Sequence, residues 1–196
     1  MSSVKDQLLK LQIEQLEHDE FFHKEITRLS IHQRLNHMAL HFSKYSGKIC
    51  DCILNNPNNN ELKKIIIDSF IISTTCANTL NILLSDKIQI AGENQCNEIS
   101  QLGEKISQKL MINNEDPLWL VKTFPIITGE LAKACESVDH LEAFAYRESI
   151  ADCVVKISSL MLVASYHLKI DLILEVSLRL TEVKKKSIFF NHYLTR

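Results

Sequence analysis

The sequence predicts an all-α protein, on three observations. Glycine and proline are scarce, four and three in 196 residues, too few to punctuate a set of strands and tight turns. Apolar residues recur at steps of three and four over long stretches, the period of a helix with one buried face. The breaks in that period fall on a few polar clusters, of which "NNPNNN" at 55–60 is the clearest, because asparagine and proline both oppose helix there.

Residues 4–29 carry Val4, Leu8, Leu11, Leu16, Phe22, Ile26 and Leu29 between charges and read as an amphipathic helix, broken near residues 18–20. A second helix is expected over 31–55, where Leu35, Met38, Phe42, Tyr45, Ile49 and Ile53 form one stripe. A third covers 61–84, with Ile66, Phe70, Ser73, Ala77 and Leu80 on one face. Residues 85–97, with Gly92, read as a linker, and a helix follows over 97–111. Asp116 is placed to cap the next helix and Pro117 to open it. That helix runs to about 137, and Pro125 is expected to kink or restart it, since proline lacks the donor for the ladder. Residues 141–168 keep a near-unbroken stripe of Ile150, Val154, Ile157, Met161, Ala164 and Leu168. A last helix, 170–189, ends in Lys184, Lys185 and Lys186, where cations suit the negative end of the helix dipole.

Composition narrows the function classes. A formal net charge of −2 gives no bulk electrostatic capture of DNA or RNA. The N-terminal "MSSVKDQLLK" has no apolar signal region, and no apolar run approaches the roughly 18 residues of a membrane span. The expectation is a cytoplasmic chain with reduced thiols. Cys50 and Cys52 make a CxC rather than the CxxC of a redox or zinc site, so the six cysteines read as small apolar residues in helices.

Two helical stretches share a pattern. Laying 42–54 over 124–136 sets Gly47-Lys48 on Gly129-Glu130. With a slightly longer loop in the second copy, Ile67-Asp68 falls on Ala151-Asp152 and Phe70 on Val154. Each half reads as a helix with a central glycine, a loop, and a helix with one aspartate among apolar residues, the mark of a duplication. A glycine inside a helix costs on the order of 1 kcal/mol against alanine, so Gly47 and Gly129 are expected at close helix crossings. The units are an N-terminal helix over 1–30, one repeat over 31–92 and a second over 93–196.

The lone aspartates are the more pointed feature. A carboxylate near a core seam needs a partner or a metal, and Glu148 lies one helical turn before Asp152. The competing reading is a solvated face with Arg147 and Lys156 beside the acids. In the first half His37, His41, Lys44, Lys48 and Cys52 share a face; histidines one turn apart can chelate zinc, though the sequence places no third ligand.

At "GELAKACE" (129–136), "RESIADCVVKISSLML" (147–162) and "KIDLILEVSLRLTEVKKK" (169–186), the chain resembles the MazG-type all-α nucleoside triphosphate pyrophosphohydrolases. The first half, from "HMALHFSKYSGKICD" to "IIIDSFIISTTCANTLNI", resembles a diverged copy of the same core hairpin. The resemblance implies a MazG-like helical bundle of two duplicated hairpins plus an N-terminal helix, assembled as a homodimer. It implies hydrolysis of a nucleoside triphosphate to the monophosphate and pyrophosphate, with Mg2+ (or Mn2+) on acidic residues of two adjacent helices. Carried over residue by residue, Glu130 and Asp152 are the catalytic acids, and Glu130, Glu148, Asp152 and Asp68 the metal ligands. Lys48, Arg179 and Lys186 face the nucleotide.

The sequence also departs from the family. Aligned on Gly129, the family's EExxE becomes Ile126-Ile127-Thr128-Gly129-Glu130, so only the last acid remains. Lys48 stands where the first copy would have an acid, and the asparagine of the family's closing motif falls on Val183. Two readings are therefore open: a hydrolase with a reduced metal site, or a catalytically silent relative that binds a nucleotide or a protein through the same cleft.

Overall fold

Side-chain caps set the helix starts. The computed structural model describes residues 3–88, 96–112, 117–188 and 190–193; Gly92 and Asp116 lie outside the described residues. Ser3 closes a capping box with Asp6 ahead of α1 (Val4–Phe22), and Ser30 does the same with Gln33 ahead of α3 (Ile31–Cys50). Asn58 accepts from the Glu61 N–H to start α4 (Asn59–Thr79), and Asp171 caps α9 (Leu172–Lys184). Each such cap answers amide donors that the helix cannot answer itself. The short α2 (Lys24–Thr27) and α5 (Leu84–Lys87) follow α1 and α4. Then come α6 (Ile99–Lys109), α7 (Leu118–Asp139), α8 (Tyr146–His167) and a C-terminal turn, α10 (Phe190–Tyr193). The expected second helix does extend to residue 55, because α3 passes into a π-helical turn over Asp51–Asn55.

Glycine scarcity shows in the helix ends. Asn81, Met111, Leu141 and Lys169, just beyond α4, α6, α7 and α8, all hold φ between 52° and 54°. The next residue's N–H then reaches back into the helix, as in Ile82 to Ala77 (3.0 Å) and Ile170 to Ser165 (2.8 Å). This is the glycine-type stop made without glycine, at roughly 1–2 kcal/mol of backbone strain apiece.

The bundle is built of antiparallel pairs. His32 in the first turn of α3 bonds Asp139 at the end of α7 (2.7 Å). Midway along this pair Ser46 bonds Thr128, 82 positions away (2.9 Å), and the Phe42 and Phe124 rings meet edge to face at 6.3 Å. Arg147 at the start of α8 donates to the Leu80 carbonyl at the end of α4 (2.8 Å), and Ser158 to Ser73 (2.9 Å). Helix α9 lies along α4 through Lys63–Glu175 and Arg179–Asp68. Helix α1 is fastened to the end of α4 and to α5 by Gln12, which donates to Asn78 and Ile82 and accepts from the Leu84 N–H. One continuous core runs from Val4 to Leu180. Phe42, Phe70 and Phe124 are its largest fully buried side chains, each contributing about 1.5–3 kcal/mol by leaving water.

Helix α8 is enclosed about as fully as α4, with eleven buried residues in each. By length and composition it could cross a membrane, but 61% of its apolar window is buried inside the bundle against α4, α6 and α7. The expectation that no apolar run reaches that length is corrected here: α8 is long and apolar because protein covers it on three sides. Pro125 does not restart its helix, for α7 is helical throughout; packing against α3 and α8 outweighs a local penalty of about 3 kcal/mol.

The glycine expectation is overturned as well. Gly47 and Gly129 are exposed, and a Cβ on either would meet nothing within 4 Å. The close crossing belongs to Gly103. A Cβ there would stand 2.5 Å from the Leu162 carbonyl oxygen and 3.0 Å from the Tyr166 Cβ. Helix α6 rests on α8 at that point, backbone against backbone.

Candidate functional site

A cavity of about 520 Å3 lies among the end of α1, α2, α3, α4 and α9, within the range usual for small-molecule sites. Met38, Ile71, Ile72 and Leu180 are among its apolar lining, and Arg34, His37, His41, Asp68 and Arg179 among its polar lining.

Asp68 projects from α4 toward α9. The Arg179 guanidinium grips it with both arms, Nε to Oδ1 at 2.6 Å and Nη2 to Oδ2 at 3.1 Å. Both side chains are only 17% exposed, where a bidentate, charge-assisted pair is strongest. Arg179 also donates to Glu182 (3.0 Å). The bonds to Asp68 hold the guanidinium further toward its charged form, ahead of the opposing effect of burial. Tyr45 stands beside the pair; burial first, then the Asp68 charge, keeps its phenol protonated to well above the ordinary range.

His41 and His37 line the same cavity. Lys44 Nζ lies 3.2 Å from His41 Nδ1, and His41 Nε2 lies 3.1 Å from His37 Nε2. An ammonium only donates, so His41 accepts at Nδ1, carries its proton on Nε2 and donates to His37. Burial, followed by the charges of Lys44 and His37, lowers the His41 pKa to about 4. The residue is neutral at pH 7.

The remaining residues singled out in the sequence lie elsewhere. Lys48 pairs with Glu61 at 2.8 Å, about half exposed, and Lys186 is exposed beyond α9; of the three basic residues only Arg179 lines the cavity. Glu130 on α7 pairs with Lys156 on α8 at 3.4 Å, both more than half exposed. Glu148 and Asp152 are exposed on α8. The Cys153 thiol is raised chiefly by burial and also feels the charges of Glu130, Lys156 and Asp152.

Mg2+ takes six oxygens in a tight octahedron. Among the described residues, no three of Glu130, Glu148, Asp152 and Asp68 offer ligand atoms within 4.8 Å of one another. Asp68 has both oxygens on Arg179 and Glu130 has Lys156 beside it. As placed, the four acids do not surround one ion.

The residues that do converge were not singled out by sequence. His18, Asp19 and His23, all on the cavity wall, bring one ligand atom each within 4.8 Å. The signal present in the sequence was the break expected near residues 18–20. The chain leaves the helix at His23, with φ −126° and ψ 45°, and this turns its ring back toward His18, centroid to centroid 5.3 Å.

Comparison of the chain with family models, with curated proteins and with solved structures gives no match.

Proposed function

We propose that the chain is a MazG-like helical module that binds a nucleotide in the cavity of α1, α2, α3, α4 and α9, with hydrolysis reduced or lost. The observation that carries this reading is the Arg179–Asp68 pair. In the family the chain resembles, acids of this kind hold Mg2+; here a guanidinium supplies the positive charge from within the chain. The apolar lining suits a base, and Arg34, half-buried and held by the Leu29 carbonyl at 3.1 Å, offers a cation to a phosphate. Two contacts agree with a duplicated origin: Ser46–Thr128 and Phe42–Phe124 each join residues that the repeat pairs with one another. A homodimer in the cytosol completes the reading. Leu9, Ile13 and Leu16 of α1 are 37–48% exposed and recur at helical spacing, an apolar face of the kind a second copy covers.

The hydrolase reading keeps one observation in its favour. Glu130 on α7 and Asp152 on α8 both act on the Cys153 thiol, and Lys156 pairs with Glu130 at 3.4 Å.

A calorimetric titration with nucleoside mono- and triphosphates, with and without Mg2+, run beside a pyrophosphate-release screen, decides between them. Binding without Mg2+ that Arg34→Ala weakens, with no pyrophosphate released, is the expected result. Mg2+-dependent pyrophosphate release that Asp152→Ala abolishes would establish the hydrolase instead.

A further inference from the structure

His18 is the most anomalous polar side chain in the described protein. Its side chain is 1% exposed, and neither ring nitrogen has a hydrogen-bond partner. Burying an imidazole this way forfeits the water bonds of both a donor and an acceptor. The neighbouring Asp19 Oδ1 stands 3.8 Å from Nδ1, beyond hydrogen-bond reach.

The groups around it are arranged as metal ligands usually are. Asp19 is held on both oxygens, Oδ1 accepting from Gln15 Nε2 at 2.8 Å and Oδ2 from Thr75 Oγ1 at 2.7 Å. The carboxylate is thereby oriented and keeps lone pairs to spare. His23 has Nδ1 3.2 Å from Glu25 Oε1. A ring N–H given to a carboxylate fixes the tautomer and leaves the other nitrogen basic, the support that a coordinating histidine ordinarily has. The three ligand atoms lie within 4.8 Å of one another, and all three residues line the cavity among α1, α2, α3, α4 and α9.

We propose that His18, Asp19 and His23 bind a first-row divalent transition-metal ion of the Zn2+ class, with its remaining coordination positions facing the cavity. Two imidazoles and one carboxylate favour such an ion over Mg2+ or Ca2+, which prefer all-oxygen shells. One carboxylate leaves the bound ion a net single positive charge. The cavity ligand is then water or an anionic oxygen. This inference does not rest on the nucleotide reading, and either can fail while the other stands.

The test uses the full chain, reduced and stripped of metal, titrated with Zn2+ by calorimetry and with Co2+ by visible absorption, with no nucleotide present. One equivalent of Co2+ is expected, with d–d bands and no thiolate charge-transfer band, and Mg2+ should not displace it. His23→Gln, a partly exposed position at a helix end, should fold and weaken Zn2+ by more than tenfold. Glu25→Gln should weaken it about tenfold through the lost support. His41→Gln should bind as the wild type does, and Zn2+ should raise the melting temperature of the wild type but not of His23→Gln. Affinity unchanged in His23→Gln, a thiolate band that assigns the ion to cysteine, or loss of binding in His41→Gln alone would overturn the proposal.

Discussion

Asp68 on α4 and Asp152 on α8 interrupt apolar runs in two helices that pack antiparallel. Asp68 faces α9 and is closed over by Arg179. Asp152 faces outward on the α7 side and is exposed. Each is a single acid set among apolar residues. The difference comes from what lies across each helix: α9 returns along α4 and places a guanidinium there, while the corresponding flank of α8 meets water. A lone acid in an apolar run thus reports a helix edge, and the fold decides whether that edge is covered.

The sharpest way to break this comparison is to remove the cover. Arg179→Ala leaves Asp68 largely buried without its partner and should lower unfolding free energy in urea by roughly 2–4 kcal/mol. Asp152→Asn should stay within about 0.5 kcal/mol of wild type, as exposed positions do. Equal losses at the two sites would end the distinction. Next in size is the α6–α8 contact. Gly103→Ala pushes a methyl group into the Leu162 carbonyl and should cost about 1–3 kcal/mol by overpacking, read as a lower urea midpoint with the slope kept.

The two glycines that mark the repeat should respond with the opposite sign. Gly47→Ala and Gly129→Ala have open space around the new Cβ and should each stabilise by about 0.5–1 kcal/mol, seen as raised melting temperatures. A loss at either would mean that the helix there depends on glycine after all.

A further effect is one of pH, and it centres on His41 in the cavity wall. The His41 pKa is lowered from 6.5 to about 4 in the folded chain, so between those values the unfolded chain binds the extra proton. Stability from this residue is complete above about pH 6.5 and falls as pH drops toward 4. His41→Gln should flatten that limb in urea melts taken across the window.

Helices were legible in the sequence because their apolar stripes are local; the caps of α1, α3 and α4, though local too, went unread. Ser3, Ser30 and Asn58 each sit one residue ahead of a periodic run. The stop after α8 was also placed to within a residue or two, although it uses Lys169 rather than glycine. The cavity was not legible. Arg179 meets Asp68 across 111 positions, and Thr75 meets Asp19 across 56; no local period encodes such distances. Gly103 escaped notice for the same reason, since the atoms it makes room for belong to Leu162 and Tyr166. His18, Asp19 and His23 looked like an interruption in a helix, and their convergence depends on the turn of the chain at His23.

The buried cysteines carry a practical consequence. Cys76 is fully enclosed and its thiol is held far above its usual ionisation, by burial; Cys135 is pushed up to about 11 for the same reason. Thiolate is the form that alkylating reagents attack, so at neutral pH these sulfurs stay silent until helices part. Cys50, only partly covered, sits at the end of α3, while Cys76, Cys135 and Cys153 lie on α4, α7 and α8. The chain thus carries a built-in clock. Under a pulse of label, the order in which these sulfurs react reads out the order in which the bundle comes apart, with no probe added to it.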